Sequence, residues 1–111
     1  MATTIVHVEV VGKDISKLQD FYANLFEWEL DTDNPQGYGM HRQGELTAGV
    51  GATPDGSAGH VTFYVKTDDP QAAVDRAVAG GGTLVMPYAE VAPEVSFALV
   101  ADPEGHVVGI M

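Results

Sequence analysis

Four histidines and sixteen carboxylates are the foremost side chains of this 111-residue chain for acid–base or metal chemistry, and it has no cysteine. Two of the histidines share a setting. His7 lies in Ile5-Val6-His7-Val8-Glu9-Val10, and His60 lies in Gly59-His60-Val61-Thr62-Phe63-Tyr64-Val65. In both stretches apolar and polar residues alternate, which is the period of a β-strand. Val6, Val8 and Val10 share one face, with His7 and Glu9 on the other. Val61, Phe63 and Val65 share one face of the later stretch, with His60, Thr62 and Tyr64 opposite. The apolar faces are expected to meet a core and the histidine faces to line something wetter. There a neutral imidazole can donate, accept or take a proton, or bind a metal. Glu9 would act as a general base if a partly dry cavity raised its pKa, or would face solvent at an open mouth. Thr62 and Tyr64 are candidates to orient a polar ligand, and Tyr64 is equally a candidate for packing with its hydroxyl at a rim.

The elements that would position these residues follow in a repeated order. A strand over residues 4–11 leads to Asp14, whose carboxylate can accept from the free N–H groups of a first helical turn. Ile15, Leu18, Phe21, Tyr22, Leu25 and Phe26 recur at helical spacing and predict a core-facing helix over residues 15–26. Trp28 and Leu30 start a short strand, residues 31–37 are turn material, and 39–42 with 46–52 form a hairpin around Gln43-Gly44-Glu45. Residues 53–59 read as a linker. After the His60 strand, Asp69-Pro70 opens a second helix, because proline is harmless at the first helical position. Gly80-Gly81-Gly82 ends it. Residues 83–86 and 96–101 are strands separated by an irregular 87–95 connection that could cover a cavity. The turn Asp102-Pro103-Glu104-Gly105 precedes a last strand, and His106 is expected to be exposed. Strand, helix and three strands thus occur twice, in modules of about 1–53 and 59–111. Such a repeat requires each half to complete its core against the other.

Composition narrows the function. The net charge of −11 repels phosphate backbones and argues against nucleic acid. It favours solubility and could steer a cationic ligand. No apolar run reaches the roughly 18 residues of a membrane span, and the N-terminus has no basic region before an apolar one, so a cytoplasmic location with no membrane partner is the default expectation. No phosphate loop or Gly-x-Ser-x-Gly elbow is present.

The chain resembles the vicinal oxygen chelate superfamily of glyoxalase-like, bleomycin-resistance-like and dioxygenase-like proteins. The resemblance is carried by Val6-His7-Val8-Glu9-Val10 with Asp14, by Phe21-Tyr22 with Leu25-Phe26 and Trp28, by Gly59-His60-Val61, and by Asp102-Pro103-Glu104-Gly105-His106. It implies an α+β fold of two βαβββ modules forming an open eight-stranded half-barrel around a cavity, with helices on the convex face, and a homodimer. Metal-dependent members hold zinc, nickel, manganese or iron through His, Gln and Glu on four cavity strands. His7 and His60 match two of those positions. The two carboxylate positions fall on Ala48, or Gly49 with a one-residue slip, and on Gly109, none of which can bind a metal. His41, of unknown direction, and Glu45, in a turn, are the remaining possible donors.

Together these readings predict a small-molecule-binding protein with an incomplete metal site and no cofactor. His7, Glu9, Met40, His60, Thr62 and Tyr64 are the expected ligand contacts. Trp28 is expected in the core. The alternative is a glyoxalase-type lyase or isomerase using His7, His60 and either a divalent metal or Glu9 as base.

Overall fold

A computed structural model describes residues 2–111 and contains seven strands and two helices: β1 (Thr3–Gly12), α1 (Ile15–Phe26), β2 (Gly39–Gln43), β3 (Leu46–Ala52), β4 (His60–Thr67), α2 (Pro70–Ala79), β5 (Thr83–Ala92), β6 (Val95–Ala101) and β7 (Val107–Ile110). The helix starts follow from their caps. The Asp14 carboxylate accepts from the Lys17 N–H, and the Asp69 carboxylate accepts from the Ala72 N–H with Pro70 behind it. Each bond satisfies one of the donors that a first turn leaves unpaired.

The chain forms two compact units. One is His7–Val61; the other joins the segment ending at Val6 to Thr62–Met111. In the first, the strand order is β2-β3-β1, with β2 antiparallel to β3 and β3 parallel to β1. In the second it is β4-β7-β6-β5, with β4 parallel to β7 and the remaining pairs antiparallel. β1 thus lies parallel to β3 with α1 in the crossover, and β4 lies parallel to β7 with α2 in its crossover.

The structure corrects the expected elements in four places. Among the described residues there are seven strands, not eight. Trp28–Leu30 is no strand, because Glu27 turns left-handed at φ 57 after α1 and the segment makes a single bridge, Asp31 to Met40, before the turn-forming residues end the pairing. Residues 87–92 extend β5 instead of forming an irregular connection, and Pro87 is accommodated by register shifts against β6. The apolar stripe of α1 is not core: Phe21, Leu25 and Phe26 are 58%, 55% and 52% exposed. Ile15, Leu18, Gln19, Tyr22 and Ala23 are the more buried residues, because α1 packs on β3 alone among its main contacts, and one strand covers only part of so wide a stripe.

The fourth correction concerns β4. Thr62 and Tyr64 are 6% and 5% exposed, whereas Val61 and Phe63, the expected core face, are 75% and 40% exposed. The physical reason is twofold. Helix α2 has its main contacts with β5, β6 and β7 and α1 with β3, so neither is drawn to the apolar face of β4. On the other face the Thr62 hydroxyl donates to the Val107 carbonyl, and the Tyr64 ring lies on Gly109 and edge-on to Phe97, with centroids 5.2 Å apart. Hydrogen bonding removes the penalty of burying a hydroxyl. The core of this unit lies on the opposite side of β6 and β7, where Val74 of α2 packs with Ala98, Val100 and Ile110.

Candidate functional site

The parallel register of β1 on β3 pairs His7 with Thr47 and Glu9 with Gly49. Paired residues in adjacent strands project to the same face, so His7, Glu9, Thr47, Gly49 and Gly51 share one side of the sheet. β2 adds Met40 and Arg42 to that side by its pairing with Gly49 and Thr47.

A tyrosine from outside the strands completes the group. Tyr38 follows the turn after α1, where Asn34 clamps its backbone from both ends: the Asn34 Oδ1 accepts from the Tyr38 N–H at 2.8 Å and the Asn34 Nδ2 donates to the Tyr38 carbonyl at 2.7 Å. Gln19 of α1 braces the same segment, its Nε2 lying 2.9 Å from both the Gly37 and the Val50 carbonyl oxygens. The Tyr38 ring lies against Gly49 and Gly51. A Cβ at Gly49 would stand 1.6 Å from the Tyr38 hydroxyl, and one at Gly51 would stand 2.5 Å from the ring. The two glycines are the slot in which the ring sits.

The side chains join in one chain of hydrogen bonds. Thr47 Oγ1 is 2.6 Å from His7 Nδ1, and His7 Nε2 is 2.7 Å from the Tyr38 hydroxyl. That hydroxyl donates to Glu9 Oε1 at 2.9 Å. Glu9 Oε2 lies 3.2 Å from His60 Nε2. The His7 pKa is lowered by burial, against opposing contributions from the Glu9 charge and the Thr47 backbone. Glu9 does not project into solvent; its side chain is 11% exposed and that of His60 is 32% exposed.

The expected site residues divide accordingly. His7, Glu9 and His60 come together within the His7–Val61 unit. Met40 borders an open groove of about 720 Å³ beside Arg42 and Thr47, with Glu27, Glu29 and Asp31 along it, so the groove meets the hydrogen-bonded chain at Thr47. Thr62 and Tyr64 belong to the packed interior of the other unit. His41 pairs with Ala48, on the opposite side from His7, and stacks on Trp28 at 5.0 Å and 11°. Trp28, expected in the core, is half-buried in a cluster with Tyr22 and Phe26. Glu45 and His106 are exposed, the latter held by Asp102. Tyr38 and Thr47 escaped the sequence reading. The signal for Tyr38 was the alternation of Gly49 and Gly51 within a strand, which marks the close approach of another group.

These residues do not fit a divalent metal. Catalytic zinc takes three protein ligands. Here the Tyr38 hydroxyl lies between His7 and Glu9, and the Tyr38 ring fills the space that a side chain at Gly49 would need. Among the described residues no three His, Asp or Glu are grouped to hold a metal ion.

Comparison with known proteins places this geometry in a family. Residues 7–111 match the model of the glyoxalase-like domain. "Putative glyoxylase CFP32" of Mycobacterium tuberculosis is 32% identical over 113 aligned residues, covering 93% of this chain and 43% of that protein. The chain thus spans less than half the length of the curated relatives it matches. Among solved structures, a glyoxalase/bleomycin resistance protein/dioxygenase superfamily member from Vibrio splendidus superposes with a TM-score of 0.67 at 16% identity, over 98% of this chain and 97% of that one. Streptomyces coelicolor methylmalonyl-CoA epimerase superposes at 0.63 and 13% identity, over 99% and 96%. These structures share the fold. With the family model covering nearly the whole chain, the protein belongs to the glyoxalase-like domain family of the vicinal oxygen chelate superfamily.

Proposed function

We propose that this domain binds a small organic molecule on the sheet face that carries His7, Glu9 and His60, and that it does so through hydrogen bonds without a metal. The observation that carries the reading is the position of Tyr38. Its hydroxyl ties His7 to Glu9 above Gly49, so the inherited histidines are engaged with protein partners. The acidic groove bounded by Glu27, Glu29 and Asp31 supports a ligand with cationic character. A second reading, a metal-free lyase or isomerase, is favoured by the 3.2 Å Glu9–His60 contact, because a carboxylate beside an imidazole orients it for proton transfer.

Metal analysis and thermal denaturation of the purified protein test the proposal. The expected result is less than stoichiometric transition metal, with stabilisation by a compound recovered unchanged. A ligand at 100 times its Kd would add about 2.7 kcal/mol. One equivalent of metal, lost on replacing His7 or His60, would sink the metal-free reading. Conversion of the stabilising compound would favour the lyase or isomerase.

A further inference from the structure

We propose that His60 is the ligand-contacting group of this site and that it offers its Nδ1 lone pair to a ligand bearing an O–H or N–H donor, with Tyr38 as the positioning residue behind it. The proposal rests on the binding reading above and specifies its chemistry.

The direction of each hydrogen bond follows from one fact: an ionised carboxylate only accepts. Glu9 Oε2 therefore takes its bond from a proton on His60 Nε2. A neutral imidazole carries a single N–H, so His60 Nδ1 is left as an acceptor. Among the described residues no side chain or backbone group hydrogen-bonds to that nitrogen. The His60 side chain is also more exposed than that of Glu9, at 32% against 11%.

The same rule fixes the rest. Glu9 Oε1 accepts the single proton of the Tyr38 hydroxyl. Towards His7 that hydroxyl can only accept, which places the His7 proton on Nε2. His7 Nδ1 then accepts from the Thr47 hydroxyl. Burial favours neutral His7, as this assignment requires. Tyr38 thus gives Glu9 a second donor and holds its carboxylate plane, and through it the ring of His60. The Tyr38 ring is fixed by the Gly49–Gly51 slot and the Asn34 clamp, so its hydroxyl is preorganised and costs little to hold in place.

The test is long-range 1H–15N correlation of the histidine rings at a pH where both are neutral, on the wild type and on Tyr38→Phe. That variant keeps the ring in its slot and removes only the hydroxyl. The expected spectrum shows the Nε2–H tautomer for His7 and His60. In Tyr38→Phe, His7 becomes a mixture of tautomers and His60 keeps its own. Phenol, an O–H donor, is expected to shift His60 Nδ1, whereas anisole, its methyl ether, is not. Phenol affinity falls by about threefold to tenfold in Tyr38→Phe, the loss of about one hydrogen bond. An Nδ1–H tautomer at His60 in the wild type, an unchanged His7 in the variant, or the same response to anisole as to phenol overturns the proposal. The wild-type spectrum decides even if the variant folds poorly. The tautomers are read without any ligand, so failure here is distinct from failure of the binding reading, which rests on ligand stabilisation and metal content.

Discussion

His7 is a half-buried imidazole whose environment penalises its charged form, and that penalty links the site to stability. Its folded pKa lies below the ordinary histidine value of 6.5, with burial as the largest cause. The unfolded chain therefore binds more protons than the folded one in the interval between the two pKa values. Stability rises with pH wherever that is so. The contribution is fully present above about 6.5 and is lost as pH falls from there towards the folded pKa. His7→Gln carries no such proton, so the difference between wild type and variant isolates the effect from that of the carboxylates. Urea denaturation at pH 7.5 and 5.5 is expected to show the wild type losing more stability than the variant over that interval. Equal losses would show that His7 is not held neutral by the fold. At this scale the sequence exposed the histidines through strand parity and hid their partner. Tyr38 is distant from His7 in the chain, and only Gly49 and Gly51 hinted that a ring had to lie on β3. Nothing in the pattern around Glu9 told solvent exposure from a bonded carboxylate, since that depends on where Tyr38 and His60 sit.

Gln19 shows how an element can position a site it does not belong to. It lies on α1, and its Nε2 reaches the Gly37 carbonyl before Tyr38 and the Val50 carbonyl in β3. Both hydrogen atoms of that amide are engaged, and Val50 is among the most deeply buried residues of the unit. Gln19→Ala leaves the helix a better former and removes both bonds, so any loss measures the brace and not helix propensity. The expected cost is about 1–3 kcal/mol for the two partly buried bonds, with the Tyr38 amide exchanging hydrogen faster. Undiminished protection at Tyr38 would show that the Asn34 clamp suffices alone. The elements themselves were largely legible. Caps at Asp14 and Asp69, the hairpin around Gly44 and the turn at Gly105 are local features, and all stand where their residues predicted. The burial of faces was not legible. The α1 stripe and the Val61–Phe63 face are amphipathic by pattern, but what covers a face is a matter of packing between elements distant in sequence. That is why Thr62 and Tyr64, the polar face of β4, are the buried one.

Across the whole molecule, the exposed apolar surface and the net charge oppose one another. Phe21, Leu25 and Phe26 on α1 and Val61 on β4 are all more than half exposed, and Val61 borders a small apolar cavity of about 80 Å³ with Tyr22 and Trp28. Exposed apolar surface of this kind marks a contact site. The curated relatives extend well beyond the region they share with this chain, and a second copy of this chain would supply a matching apolar face. We propose a homodimer through α1. Each copy carries a charge of −11, so association works against like-charge repulsion as well as for apolar burial. Salt acts on the two terms differently: it screens repulsion, with a Debye length falling from about 10 Å at 0.1 M to about 3 Å at 1 M, and leaves apolar burial intact. Sedimentation equilibrium is therefore expected to show a dimer that tightens as salt rises, the reverse of an interface built on opposite charges. Phe21→Glu places a carboxylate in the contact and should return the protein to monomer at every salt concentration without unfolding it, since Phe21 is already exposed. A wild type that stays monomeric throughout, or a dimer indifferent to Phe21→Glu, would move the interface away from α1.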